Sequence, residues 1–486
     1  MMSRKHFPFF PFPGLILVAS LVLMSPAAPV HGQFPGPVQP PAESASAGGE
    51  VDFRTANKEA IEKLRKLPPE KIASLDEKLA EALTLYYDGK FAQALPIFNM
   101  ISADVETMDI MWWLGTSAMN VGETRLAVQK FQQMLAIDPT LHRVRLELAA
   151  AYFQLKQYED ARREAEAVKQ ARPPEAVVRN IDRLLAAITE STKTLYWNVR
   201  FSQGIQWDSN ISSGPDQKEL NVTGGTLTLN SDTAEIGDWA SITNFSGNVL
   251  YDFGEKQGFM WNTTADLYNQ FYFHNGKYNY SLVDVSTGLW WVGPRDILKL
   301  PLGVAKQEFG SDPLSTVYHI RPSWEHYFTP GFSVKALYVY SQERFMDLAN
   351  QDQDNVTNRY EITPNFYFLN RRHIVSVSGG YEQSAADARR FTYTAPYGAV
   401  SYYTRFPTNT DLFFRYQYSN RDYKAPPLLY SEDRVDRRHA FSAVLSQEFL
   451  KHFFASVAFS YIDNRSNLEL YAFRKQTYTL SCGFYF

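Results

Sequence analysis

Cysteine is almost absent from the chain: Cys482 is the only one, so no internal disulfide can form. A charge bias is missing as well. Lys and Arg number 48 against 52 Asp and Glu, the formal net charge is -4, and the two signs are interspersed. That balance excludes the basic patch of a nucleic-acid binder, so no nucleic-acid partner is expected. The sequence has no H-E-x-x-H, no G-x-S-x-G, no Walker A loop and no Cys/His cluster, and its nine histidines are scattered. No catalytic, metal-binding or cofactor-binding residue is therefore assigned, and the chain is not read as an enzyme. Beyond the N-terminal region no apolar run is long enough for a helical membrane span. For an exported chain this leaves soluble periplasm or a β-barrel, the other structure that satisfies its own backbone hydrogen bonds in lipid.

What is present begins with a secretory pattern. Arg4 and Lys5 precede the apolar run Leu15 to Met24, and Val30-His31-Gly32 stands before Gln33, so residues 1–32 read as a signal peptide. Residues 33–70 read as a proline-rich linker and a leading helix. Aromatic residues make up 15% of the chain, with 34 Phe and 29 Tyr, while the mean hydropathy is negative. Such a composition fits a wall that meets lipid on alternate residues only.

Residues 71–174 carry small and aromatic residues at a period near 34, the spacing of tetratricopeptide repeats. Gly115, Ala127 and Pro139 have counterparts 34 positions on in Ala149, Ala161 and Pro173. An earlier copy, Ala82, Leu85, Gly89, Phe91, Ala94 and Phe98, keeps the inner pattern without the closing proline. Small residues let paired helices approach, the aromatic fills the gap and proline ends the second helix. Stacked pairs curve into a groove, for which Tyr86, Trp112 and Asn120 on the first helices are candidate lining residues; Trp112 and Trp113 also suit a core. Residues 175–195 read as a connecting helix, with Val178, Ile181, Leu184, Leu185 and Ile188 on one face.

From Tyr196 the apolar period becomes two. In Leu412 to Tyr418, the residues Leu412, Phe414, Tyr416 and Tyr418 share one face and Phe413, Arg415 and Gln417 the other. Strands are predicted near 196–207, 239–253, 258–273, 279–292, 296–308, 315–328, 332–344, 358–368, 373–384, 391–405, 410–423, 437–450, 452–464 and 474–486. Links after even strands are tight and those after odd strands mostly longer, with Asp208 to Asp238 the longest. An even count with turns of unequal length at the two ends predicts a transmembrane barrel over 196–486 and puts both of its terminal strands on the periplasmic side. Asp208, Glu308, Glu325 and Glu343, at strand ends or inward positions, could form an acid/base pair or hydrate the lumen, and hydration is the expectation because polar lumen residues are the rule in barrels. The fold class is thus α+β multidomain: an N-terminal α-solenoid of tetratricopeptide repeats followed by a 14-stranded antiparallel transmembrane β-barrel.

Two segments carry a family resemblance. Ser466-Asn467-Leu468-Glu469-Leu470-Tyr471-Ala472-Phe473-Arg474, running into a strand that ends in Phe486, resembles the C-terminal signature of the surface lipoprotein assembly modifier family. Asp208-Ser209-Asn210-Ile211 followed by Gly214-Pro215 resembles that family's motif after the first strand. The resemblance implies an outer-membrane translocation factor whose periplasmic repeats receive an exported client protein or lipoprotein and whose barrel helps it reach the cell surface. The positions it carries over are Asp208, Ser209, Asn210, Ser466, Asn467, Tyr471 and Arg474, which also suit turn-shaping. Outer-membrane lipid and the barrel-insertion machinery are the other expected partners. The alternative reading is a polysaccharide-export barrel with a periplasmic repeat scaffold.

Overall fold

The computed structural model describes residues 58–230, 234–254 and 256–486. The expected signal peptide and the proline-rich stretch up to residue 57 lie outside the described residues. Those described form two compact units, helical up to Lys193 and built of strands from Thr194. No described helix is long and apolar enough to cross a membrane.

The helical unit comprises α1 (Lys58–Arg65), α2 (Pro69–Tyr87), α3 (Phe91–Asp104), α4 (Met108–Val121), α5 (Thr124–Ile137), α6 (His142–Gln154), α7 (Tyr158–Gln170) and α8 (Glu175–Thr192). α2/α3, α4/α5 and α6/α7 are the three repeat hairpins, and α8 packs on α7. Their small residues sit where the period predicts: Ala82, Ala94, Ala118, Ala127, Ala149, Ala161 and Ala165 are wholly buried among Phe98, Leu114, Phe131 and Met134. Gly115 shows why small residues are required. A Cβ there would lie 2.7 Å from Cε1 of Phe131, closer than packed carbons allow. Thr107 caps α4 by accepting from the Ile110 amide at 3.2 Å, and Gly122, at φ +88°, ends it in the left-handed conformation.

The strands are β1 (Leu195–Asp208), β2 (Glu219–Val222), β3 (Gly225–Thr228), β4 (Asp238–Asp252), β5 (Gly258–Tyr272), β6 (Tyr280–Val292), β7 (Asp296–Phe309), β8 (Asp312–Ile320), β9 (Ser323–Thr329), β10 (Phe332–Phe345), β11 (Asn355–Phe368), β12 (His373–Ala386), β13 (Tyr393–Arg405), β14 (Thr410–Tyr423), β15 (Val435–Phe449), β16 (Phe453–Ser466) and β17 (Phe473–Tyr485). Leaving aside the separate β2–β3 hairpin, they form one antiparallel sheet that closes where β17 pairs with β1. β8 and β9 succeed one another between β7 and β10, so the barrel has fourteen spans. The predicted strand 315–328 is therefore interrupted, at Arg321-Pro322. Pro322 has no N–H to give to the ladder, and its carbonyl accepts from the Tyr338 amide at 3.0 Å instead.

The alternation faces lipid outward and water inward. Trp197, Leu300 and Leu480 are 58%, 53% and 56% exposed on the outer wall, while Ser202, Gln206, Asn262 and Asp284 are buried within. Glu325 and Glu343 point inward, where Glu325 accepts from Ser333 at 2.7 Å and Glu343 from Ser315 at 2.7 Å; Glu308 is exposed at its strand end. The tight turns lie at the end where β1 begins and β17 finishes. The other end carries the longer connections, except for the turn at Gly310-Ser311. Ile211, from the first long connection, packs in an apolar cluster with Tyr268, Tyr272, Tyr280 and Phe309.

Candidate functional site

The two motif segments, more than two hundred and fifty residues apart in sequence, meet where β1 ends and β17 begins. Asp208 is the last residue of β1 and is fully buried. Its carboxylate pairs with Lys475 Nζ at 2.7 Å and accepts from the Tyr272 hydroxyl at 2.8 Å and the Asn210 amide at 3.0 Å. A buried charge needs such partners, since an unpaired carboxylate here would carry its full desolvation cost. Ser209 joins the two strands from both directions: its amide donates to the Gln476 carbonyl at 2.9 Å and its hydroxyl accepts from the Gln476 amide at 2.9 Å. Asn210, also fully buried, donates to the Arg474 carbonyl at 2.9 Å and to the Gly214 carbonyl at 2.8 Å.

The second segment shapes the neighbouring loops. Ser466 Oγ accepts from the Leu468 amide at 3.2 Å, and Asn467 accepts from the Val435 amide at 2.7 Å while donating to the Asp433 carbonyl at 2.9 Å. The Tyr471 ring lies beneath the Arg434 guanidinium, 3.7 Å from its centroid. The Arg474 side chain is largely exposed, with Nε 3.8 Å from Asp463, so the junction uses its carbonyl rather than its charge. Above this junction the β2–β3 hairpin reaches across to other long connections. The Asn221 amide donates to Glu469 at 2.8 Å and the Thr223 amide to the Leu429 carbonyl at 3.0 Å. In the exposed Glu469, those bonds from Asn221 hold the carboxyl below its ordinary value.

Asp208, Ser209 and Asn210 are thus brought against the strand that carries Arg474, whereas Ser466, Asn467 and Tyr471 fasten adjoining turns. Lys475 is the residue the sequence reading missed. Its signal was present: on β17 it alternates inward with Phe473 and Thr477, and a lysine inside a barrel wall requires an acid.

In the helical unit Tyr86 is half-buried, Trp112 is buried and Asn120 is exposed. Tyr86, on α2, and Thr116, on α4, hold their hydroxyls 3.1 Å apart, and Asn120 donates to the Thr116 carbonyl at 2.8 Å. The Arg143 guanidinium of α6 lies 4.7 Å from the centroid of Trp112. Burial pushes the Tyr86 hydroxyl above its ordinary value, and the charge of Glu147 on α6 adds to that rise. Glu147 itself is buried, and burial pushes its carboxyl up to about 7 against the nearby positive charge of Arg143. Among the described residues no group of three or more His, Cys, Asp or Glu gathers to hold a metal ion.

Comparison with known proteins agrees with this layout. Residues 197–486 match the family described as "Surface lipoprotein assembly modifier", and residues 70–165 match "Surface lipoprotein assembly modifier, N-terminal TPR repeats". A surface lipoprotein assembly modifier of Pasteurella multocida (strain Pm70) is 19% identical over 351 residues, covering 68% of this chain and 65% of that protein. Surface lipoprotein assembly modifier 1 of Neisseria meningitidis serogroup B (strain ATCC BAA-335 / MC58) is 23% identical over 243 residues, 49% of this chain and 46% of that protein. The chain therefore spans less than two thirds of the length of these curated relatives. Among solved structures, PcrH from Pseudomonas aeruginosa aligns with 26% of this chain and 97% of its own, at 23% identity and a TM-score of 0.23.

Proposed function

The chain belongs to the surface lipoprotein assembly modifier family, and from that membership we propose that it is an outer-membrane translocation factor. Its repeats receive client proteins or lipoproteins in the periplasm, and its barrel helps deliver them to the cell surface, through the lumen or along the wall. The observation that carries this reading is the covalent union of tetratricopeptide helical hairpins with a closed barrel whose interior is polar. Repeat grooves of this kind hold extended segments of other proteins, and a hydrated lumen or a lipid-facing seam is a path across the membrane.

Turn lengths support the periplasmic placement of the repeats. Short turns face the periplasm in barrels of this class, and the chain enters the barrel at that end through Thr194. The apolar outer wall is the surface that outer-membrane lipid covers. The barrel-insertion machinery would act on the closing strand β17, beyond which the amide and carbonyl of Phe486 both bond Val199 at 3.0 Å. The motif residues Asp208, Ser209 and Asn210 serve by fastening β1 to β17 rather than by touching the client. No residue is assigned a catalytic role.

Deleting the gene and measuring protease-accessible surface proteins beside surface polysaccharide tests the function. Loss of one or more surface proteins, with polysaccharide intact, is expected. Unchanged surface proteins with lost polysaccharide would overturn it.

A further inference from the structure

The first helix of the third repeat carries a buried acid to which its own fold gives no donor. Glu147 is 9% exposed, yet no described residue gives its carboxylate a hydrogen bond or an ion pair; the charge of Arg143, four residues earlier on the same helix, is the interaction it feels. Its neighbours in the repeats show what a settled acid looks like there. Glu164 receives Arg145 at 2.7 Å, and Glu106 accepts from Ser102 at 2.7 Å and pairs with Lys130. The Glu147 side chain is mostly withdrawn from water while the fold offers its carboxylate no donor, which disfavours its ionised form relative to a solvated acid.

The lining around it favours positive charge. Tyr86 from α2 and Trp112 from α4 supply aromatic rings, and Trp112 already carries a guanidinium over its face. The hydroxyls of Tyr86 and Thr116 add oxygen to the same wall. Three successive first helices therefore contribute two rings, two hydroxyls and one carboxylate, linked by the Tyr86–Thr116 contact and by Arg143, which lies over Trp112 and bears its charge close to Glu147.

We propose that Glu147 is the specificity-determining residue of the groove and receives a lysine or arginine side chain from an extended segment of the client. This rests on the receptor role proposed above for the repeats. The cation would bond the carboxylate while its aliphatic stem lies between Tyr86 and Trp112, an arrangement in which long basic side chains cover apolar surface and present their charge at the tip. The carboxyl, raised to about 7 by burial, is only partly ionised near neutral pH when the site is empty, and an arriving cation shifts it toward the ionised form.

The test is selection of random dodecapeptides displayed on beads against the full chain in detergent micelles, beside Glu147→Gln, Glu147→Asp and Glu147→Arg. The wild-type chain is expected to enrich Lys or Arg at one fixed position by about tenfold, the discrimination a single charge-assisted hydrogen bond supplies. Glu147→Asp should keep that preference, Glu147→Gln should lose it, and Glu147→Arg should replace it with Asp or Glu. Unaltered helical circular dichroism identifies the variants that are folded. Peptides selected without a basic preference, or with one that survives Glu147→Gln, would overturn the inference and leave the receptor role standing. Selection of no peptide at all by the wild-type chain would count against the receptor role itself and take this inference with it.

Discussion

In the helical repeats Leu114, Phe98 and Phe131 are wholly withdrawn from solvent, whereas in the barrel Trp197, Leu300 and Leu480 turn outward and Ser202, Gln206 and Asp208 turn in. One chain thus follows two opposite burial rules, each set by its solvent. Water around the helices drives apolar side chains together, but lipid around the strands is as apolar as leucine and gives no such drive. What holds the barrel is the closed ladder of backbone bonds and the polar contacts within it. The repeats hold by packing, and the barrel by pairing.

Truncating an apolar residue in each unit is the strongest way to break this contrast. Phe131→Ala empties the space against Gly115 and should cost about 3–5 kcal/mol, read as a lower urea midpoint of the helical signal. Leu480→Ala exchanges one lipid contact for another and should change barrel stability by about 1 kcal/mol or less. Equal losses would mean that the outer wall packs against something other than lipid.

Polar contacts should show the reverse order. Lys475→Met leaves Asp208 buried and unpaired, which is expected to cost about 3–5 kcal/mol. Adding Asp208→Asn should recover most of it, because the carbonyl of a neutral amide can still accept from the Asn210 amide while its NH2 donates to the Tyr272 hydroxyl oxygen. Retention of the folded band on a semi-native gel with heating measures both. A double variant no better than the single one would show that Asp208 fastens the closure through its hydrogen bonds alone.

That junction also marks where sequence reasoning stops. The spans were legible because period-two alternation is written locally: Tyr416 and Tyr418 face outward as Leu412 to Tyr418 suggests, and the predicted ranges fall on all fourteen spans. The break at Arg321-Pro322 was legible in principle, since proline in a paired strand is itself the signal. The β2–β3 hairpin was not, because four-residue strands in a polar connection have no lipid face to write a period. Nor was the Asp208–Lys475 pair, which exists only because the barrel closes. In the repeats, alanines and aromatics announced the core, but nothing local says that Glu147, between Leu146 and Leu148, is a buried acid to which the fold gives no donor.

Glu147 is the exception to the packing rule of its unit, and pH separates its effect from the rest. Its folded-state value, about 7, lies above the ordinary carboxylate range, so its folded form holds a proton that the unfolded form releases. The contribution of this group is complete below the unfolded value and is lost as pH rises through about 7. Glu147→Gln should therefore leave stability unchanged near pH 4 and raise it by up to about 3 kcal/mol near pH 8, in urea titrations of the helical signal. Loss of stability at pH 8 would show that the ionised carboxylate has a partner within the fold.

The smallest effect is at the corners of the repeat hairpins, where the helical unit departs from ideal backbone. Gly89 and Gly122 adopt φ +75° and +88° there, and in the third repeat Lys156 does the same at φ +60°. The hydrogen bonds of the first and third corners match: Gly89 donates to Tyr86 and Lys90 to Leu85, as Lys156 donates to Phe153 and Gln157 to Tyr152. Lys156 therefore bears the left-handed strain that glycine avoids, with no hydrogen bond to compensate that glycine would lack. Lys156→Gly should stabilise the third hairpin by about 0.5–1 kcal/mol, the strain being relieved at a smaller entropic cost in the unfolded chain. Gly122→Lys should lose a similar amount, and the pair together should leave the urea midpoint of the helical signal near that of the parent. A destabilising Lys156→Gly would mean that the lysine stem packs on its repeat strongly enough to outweigh the backbone, making this corner part of the core instead of a hinge between helices.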